Sequence, residues 1–360
     1  MIAIIGAGIA GLSLGLALSQ RGATVTVLEA DRVASGASGV ATSYLEPRLG
    51  NTAMRALERE AMRRWPHYAA QLEEETGMSI GFRQDGQIKV SLQEYKSKLD
   101  KDLTLRTSQQ ETFKQLSGDD IRRMEPSLSP DLIAGAFLPD VCWVNGRDVC
   151  QALAVAIEKS GGMVVENDAV SSLQFRTGGV EISMQHGSVI GVEKTVLCAG
   201  IAASEIDGLP DDIPASRAVR GVNLVVDQTG LSQPITHLIK HHRGNLCPRE
   251  NGQLIVGTTY ESDQWSLDPT PEIIEFLYQN AEPILPSVRD LPLLKVTAGL
   301  RSKVGDGNLR LGCSEEQPQL FYSLSHGGAG FLRAPVIGDE LAEFVLKGVK
   351  GPLTRHHTHG

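Results

Sequence analysis

The chain has 360 residues, 41% of them hydrophobic, and a formal net charge of −9. That length allows one large domain or two interlocked ones. No apolar run has the roughly 20 residues of a membrane span, and no basic stripe marks a nucleic-acid partner, so neither is expected.

The chain opens MIAIIGAGIAGLSLGLALSQRGATVTVLEAD. No positive residue precedes the apolar stretch, and glycines interrupt it, so a signal peptide is not expected and the reading is cytoplasmic. Residues 1–5 have the apolar, β-branched character of a buried parallel strand. Gly6 permits a tight turn, Gly8 lets a pyrophosphate approach the backbone, and Gly11 lets the next helix pack on the strand. That helix is expected to stop at Gly22. TVTVLEA reads as a second strand ending in Glu29, eighteen residues after Gly11. A carboxylate there can accept both ribose hydroxyls while the helix N-terminus holds the phosphates. The whole pattern predicts a dinucleotide site. An acid at position 29 disfavours a 2′-phosphate and leaves NAD and FAD. The following DRVASGASGVATSYLEP is too small and Gly/Ser-rich for a third Rossmann strand, and suits a segment lying against a large cofactor.

Residues 52–75 read as a surface helix with Met54, Leu57 and Ala61 on one face, broken or restarted at Pro66. MSIGFRQDGQIKVSL reads as a hairpin turning at Asp85-Gly86, and residues 92–127 as charged and helical. A strand–helix–strand unit follows, its helix striped by Val149, Leu153, Ala156 and Ile157. GVEISMQHGSVIGVEKTVLCAG reads as a meander closing on Gly200. Residues 216–294 look like a separate sheet-rich domain with a helix in PEIIEFLYQNAEPIL. The chain then gives two strands, a glycine-rich turn and a helix with Ile337, Leu341, Phe344 and Val345 on its core face. The five cysteines, Cys142, Cys150, Cys198, Cys247 and Cys313, form no C-x-x-C pair and read as buried reduced thiols. His356, His357 and His359 read as a frayed terminus, not a metal site.

With these motifs in order, the sequence resembles the D-amino-acid oxidase superfamily of FAD enzymes, most closely its glycine oxidase branch. The markers are G-A-G-I-A-G with Glu29, ASGASG, VNGRDVCQAL, TVLCAG, GQLIVGTTYESDQW, AGLRSKVGDG and SHGGAGFLRAPVIGDELA. The resemblance implies an α/β fold. A Rossmann-like FAD-binding domain (1–45, 140–215 and 295–350) would interleave with an α+β substrate domain (46–139 and 216–294), whose antiparallel sheet covers the isoalloxazine. It implies that Gly6, Gly8, Ala10, Gly11, Glu29 and Ala30 hold the adenosine diphosphate end. Ser35 and Ser38 would lie by the pyrophosphate and flavin, Val170 by the adenine, and Ala199 and Gly200 by the cofactor's middle. Gly327, Gly328, Ala329, Gly330 and Phe331 would bring the last helix N-terminus to the flavin pyrimidine. Arg301, in AGLRSK, stands where the family binds the substrate carboxylate as a bidentate pair beside the cofactor.

The chain departs from that pattern in places. Asn245 stands where the glycine oxidase branch has a tyrosine that helps fix the carboxylate, and Tyr260 is a second candidate for lining the cavity. Arg333 is read either as a second anion contact or as surface, and His326 either as a flavin contact or as a core histidine; Arg48 is left unassigned. No cysteine stands in GLRSK, so the FAD is expected to be non-covalent. The implied reaction is oxidation of the C–N bond of a small amino acid or secondary amine. Hydride would pass from Cα of the neutral amine to flavin N5, and the imine would hydrolyse to the oxo acid, without a strong general base. Oxygen or another acceptor would restore the flavin. Two alternatives stay open: action on a glycine-like unit of a larger molecule, and an accessory or maturation flavoprotein without small-amine turnover. Homo-oligomerisation is also open.

Overall fold

The computed structural model of the chain describes residues 1–50 and 52–359. The first strand, Ile2–Ile5, is central in a seven-stranded sheet, parallel to Val25–Leu28 on one side and Lys194–Leu197 on the other. Met163–Val165 extends the first side; Leu320–Leu324, Arg310–Cys313 and Thr358–His359 extend the second. Alternate side chains of the central strand serve two cores, as strand geometry requires. Ile2 and Ile4 pack under the helices Ile9–Ser19, Gly146–Lys159 and Gly330–Lys347. Ala3 and Ile5 pack under a three-stranded antiparallel sheet of Val170–Arg176, Gly179–Met184 and Val189–Val192.

A second sheet of nine strands is built around Ser216–Asp227, which pairs antiparallel with both Gln253–Gly257 and Leu293–Val304. One pair in it is parallel, Leu238–His241 with Gln87–Ser91. Its residues alternate as well. Val222, Leu224, Val226, Leu246, Leu254 and Val256 form a core with Leu277 and Ala281 of the helix Pro271–Ala281. The opposite face, with Gly221, Asn223, Asn245 and Gly257, turns toward residues 37–46.

Three helices lock the first sheet's outer layer. A Cβ on Gly338 would lie 2.6 Å from the Ser13 carbonyl oxygen, so the last and first helices cross at backbone contact. Pro335, inside the last helix, cannot donate to the Phe331 carbonyl; Trp65 Nε1, fully buried, donates to it instead and to Leu332 O, both at 3.1 Å. In the same turn, buried Arg333 donates to Glu58 Oε1 through Nε (3.0 Å) and Nη2 (2.7 Å). Trp65 and Glu58 both belong to the helix Ala53–Thr76.

That helix runs unbroken through Pro66, against expectation. Buried Ala61, Trp65, Ala69 and Leu72 hold both sides of the proline in the core, and this packing outweighs a proline cost of about 3 kcal/mol. The expected hairpin at Asp85-Gly86 does not form. Gln87–Ser91 pairs with Ala134–Leu138 and Leu238–His241, and Arg83 bridges to Trp143. The span 92–127 holds two helices, Lys96–Ser108 and Gly118–Met124, with a strand, Lys114–Ser117, between them. The C-terminal histidines are not frayed: Arg355–His357 forms a helical turn and Thr358–His359 adds an edge strand beside Arg310–Cys313. All five cysteines are free, and among the described residues no cluster could hold a metal. No described helix is long and apolar enough to cross a membrane.

Glu58 is 1% exposed and also accepts from Arg48 Nε and from the Arg48 backbone N–H. Removing one partner of such a buried pair leaves a charge without compensation. Glu58→Ala is therefore expected to cost about 3–5 kcal/mol, measured as a loss of unfolding free energy in urea.

Candidate cofactor and substrate site

The opening glycines build a turn too tight for side chains. Gly6 has φ +107°, and a Cβ there would lie 2.7 Å from Cys198 O; a Cβ on Gly11 would lie 2.0 Å from Gly6 O. Over Gly8 the Ser38 hydroxyl comes in, 3.1 Å from where a Cβ would be, and accepts from Ile9 N at 3.0 Å. Glu29 accepts from Ala7 N (2.7 Å), Asp31 N (3.1 Å) and Ser35 Oγ (3.2 Å). A carboxylate offers about four acceptor sites, and Glu29 is only half-buried, so capacity remains for a hydroxyl. Ala30 and Ser35 are exposed beside it, Ala10 lies in the first helical turn, and Val170 opens the strand Val170–Arg176 next to the same core as Leu28.

The last helix brings a second N-terminus to the first. A Cβ on Gly330 would sit 3.2 Å from Ile9 Cγ2, and neither Gly8 nor Ala329 caps its helix with a side chain. Two sets of orphan N–H donors thus lie together, an arrangement that favours negative charge. A Cβ on Gly327, Gly328 or Gly200 would meet nothing within 4 Å, so these are open backbone edges, and Ala199 adjoins Gly200. Phe331 is buried against Gly146. His326 pairs Nε2 with Ser323 Oγ at 2.9 Å, while its Nδ1 is closed off without a partner. Burial, with Arg333 adding to it, pushes the His326 imidazole down to about 3, so the ring is neutral at ordinary pH. These open edges, uncapped helix ends and one orphaned buried nitrogen suit a large, flat, anionic dinucleotide.

Residues 37–46 lie between this region and the second sheet. A Cβ on Gly299 would be 2.4 Å from Val40 Cγ2, Asn223 Nδ2 donates to Val40 O at 3.0 Å, and Arg249 Nη2 donates to Thr42 O at 2.7 Å. On the same sheet face the Arg301 guanidinium lies over Gly221, where a Cβ would be 2.3 Å from Nη2. Its bonds go to Thr258 Oγ1 (3.1 Å) and, weakly, to Thr259 O (3.4 Å). No described carboxylate is within ion-pair distance of it. Burial lowers its pKa, with Tyr44 and Tyr260 opposing.

Tyr44 and Lys240 carried no signal in the sequence, yet they adjoin this place. Lys240 Nζ bonds Glu46 at 2.6 Å and Tyr44 Oη at 3.3 Å. Burial alone would raise the Glu46 carboxyl, but Lys240, Lys89 and Arg106 together hold it well below the usual range. Of the remaining candidates, Asn245 is 4% exposed and Tyr260 is 64% exposed. Arg333 is neither surface nor a free anion contact, since Glu58 and His326 O take its N–H groups. Arg48 is bound to the same Glu58.

Residues 1–344 match the DAO family, described as FAD dependent oxidoreductase. The chain is 25% identical to glycine oxidase from Bacillus licheniformis over 347 residues, 95% of this chain and 92% of that one. It is 26% identical to the bifunctional protein ThiO/ThiG from Trichormus variabilis over 359 residues, 99% of this chain but 54% of that longer one. The crystal structure of glycine oxidase from Bacillus cereus superposes with a TM-score of 0.91 at 25% identity, covering 97% of this chain and 95% of that one. Sequence and fold agree over nearly the full length: the chain belongs to the DAO family of FAD-dependent oxidoreductases.

Proposed function

We propose that this protein oxidises the C–N bond of a small amino acid or amine that carries a carboxylate next to the nitrogen, giving an imine that water hydrolyses to the oxo acid. The observation that carries this reading is Arg301, a partly buried guanidinium with no described carboxylate partner. Its planar fork matches a carboxylate in a two-bond pair. The names of the relatives, glycine oxidases above all, support the same substrate class.

FAD, held without a covalent bond, would supply the two-electron chemistry. Gly6, Gly8, Gly11 and Glu29 would hold its nucleotide end, and the open edges at Gly200 and Gly327–Gly328 its middle and ring. On this reading residues 1–45, 140–215 and 295–350 serve the cofactor, and 46–139 and 216–294 the substrate. Arg301 orients the carboxylate, and the chain's own contribution is positioning and charge. Among the described residues no aspartate, glutamate or neutral lysine beside Arg301 is free to act as a base, so the amine reacts in its neutral form. A second reading, a glycine-like unit on a larger molecule, draws on the exposure of Tyr260 next to Arg301. Electrons would leave to oxygen or to another acceptor.

The purified protein is expected to be yellow and to release FAD on denaturation. Anaerobic addition of a small amino acid should bleach it; bleaching only by a larger conjugate would favour the second reading. In Glu29→Ala, hydrogen bonds to a charged acceptor worth about 1.5–3 kcal/mol each are lost. FAD affinity by calorimetry should fall accordingly while the far-ultraviolet spectrum stays the same.

Arg301→Ala should lower kcat/KM by about 2–5 kcal/mol in free-energy terms, the usual cost of truncating one side of a desolvated charge pair. Arg301→Lys should recover only part, because a point charge cannot reproduce the fork. FAD should remain bound in both. The check is steady-state kinetics on an amino acid and its decarboxylated amine: the amine should lose far less. Equal losses would make Arg301 structural.

A further inference from the structure

The Arg301 guanidinium lies flat on Gly221. A Cβ at Gly221 would stand 2.3 Å from Nη2, 2.6 Å from Cζ and 2.6 Å from Nη1, so the strand meets the face of the group and the N–H bonds point along its surface. A guanidinium offers two forked edges, each able to hold a carboxylate through two parallel bonds. The end edge carries Nη1 and Nη2; the side edge carries Nε and Nη2.

The protein itself takes the end edge. Nη2 donates to Thr258 Oγ1 at 3.1 Å and Nη1 to Thr259 O at 3.4 Å. Those two oxygens are 3.5 Å apart. Acceptors stand that close only where the Nη1 and Nη2 hydrogens run parallel; on different edges they would be roughly twice as far apart. Nε donates to no described residue and is not shut away from solvent. The side edge is therefore the forked edge left for a ligand.

The two threonines are fixed in place. Thr259 Oγ1 accepts from Val222 N at 2.9 Å and donates to Glu261 Oε1 at 2.7 Å. Glu261 is in turn gripped by buried Arg220, through Nη2 at 2.6 Å and Nε at 3.3 Å. A guanidinium has no acceptor, so Thr258 Oγ1 must accept in its bond with Arg301. Its own hydrogen turns to Val222 O or Thr259 O, at 3.4 and 3.5 Å.

We infer that the substrate carboxylate docks in plane on the Nε–Nη2 edge of Arg301, one carboxylate at a time, and that Thr258 is the positioning residue that closes the end edge and holds the guanidinium for it. This rests on the amine-oxidation reading above. With the end edge closed, Arg301 has one orientation to offer, and the bound amino acid has one direction in which to extend.

The test uses the holoenzyme, isotope-labelled at arginine Nε, with acetate as the probe. Arg301→Lys identifies the Arg301 Nε–H resonance by its loss. In the native protein acetate should perturb the flavin spectrum, move that resonance downfield and slow its exchange with water, because a charged acceptor takes the proton. In Thr258→Val, nearly the same shape without the hydroxyl, the acetate Kd read from the flavin spectrum should rise roughly fivefold or more, about the worth of one net hydrogen bond. For glycine and D-alanine kcat/KM should fall by the same factor through KM, with kcat little changed, while their decarboxylated amines should lose far less. Thr258→Ser should restore both. FAD content should not change in either variant. Suppose acetate perturbs the flavin and binds more weakly to Arg301→Lys, yet leaves the Nε–H resonance unmoved: the carboxylate then sits on the end edge, and this inference alone is overturned. Equal losses on amino acids and their decarboxylated amines in Thr258→Val, no recovery in Thr258→Ser, or loss of FAD would each overturn the role of Thr258. If acetate leaves both spectra of the native protein unchanged and neither amino acid bleaches the flavin, the amine-oxidation reading fails and takes this inference with it.

Discussion

The structure depends on how closely backbone can approach backbone around residues 34–46. This stretch threads between the N-termini of two helices and the face of the nine-stranded sheet. It fits because the surfaces on either side of it lack side chains where it passes: Gly8 under Ser38, Gly146 under Ser43, Gly299 under Val40. Within it, Gly39 must clear the Ala34 carbonyl, and Ala34 itself takes a φ of +60°. A methyl group at any of these glycines would push the sheet and the helices apart.

Polar groups in the interior divide by whether the protein satisfies them. Arg333, Glu58 and Arg48 form one set of ion pairs, and Glu46, Lys240, Lys89, Arg106 and Asp102 form another. Such pairs hold elements in place: the first ties the last helix to the long helix Ala53–Thr76, and the second ties residue 46 to the sheet. Arg301, Asn223, Asn245 and the Nδ1 of His326 differ, because each keeps hydrogen-bonding capacity that the chain does not use. A folded protein tolerates unused buried polar capacity mainly where a ligand takes it up. This contrast separates Arg301 from Arg333, for which the sequence left a second anion contact open.

Long strands and close helix crossings make the two sheets one body. Leu293–Val304 pairs with Ser216–Asp227 along nearly its whole length, so Arg301 is carried on a long strand hydrogen-bonded to the strand the sheet is built around, instead of a loop. A side chain on such an element holds its position more precisely than one on a loop, which suits a group that orients a substrate.

The opening strand–turn–helix–strand unit was legible in the sequence because its determinants are local. A strand, a glycine turn, a helix and a second strand ending in an acid are contiguous, and the packing of Gly6, Gly11 and Glu29 follows from chain geometry over 29 residues. The last helix and the meander were legible for the same reason, through their periodicity. The hairpin at Asp85-Gly86 and the break at Pro66 were misread, because distant strands claimed Gln87–Ser91 and a buried core overrode the proline. The sheet face that carries Arg301 was hidden most deeply. Asn245 was singled out through the resemblance, but Tyr44, Asn223 and Lys240 carry no local signal, and they lie on segments far apart in the chain. Register alone decides that Asn223, Gly257 and Asn245 share a row and that Arg301 stands diagonal to it. A slip of one residue would turn each of them into the opposite core. The sequence by itself therefore determined the cofactor's fingerprint, which is written in consecutive residues. Only the tertiary structure decided what surrounds Arg301, because strand pairing between distant segments assembles it.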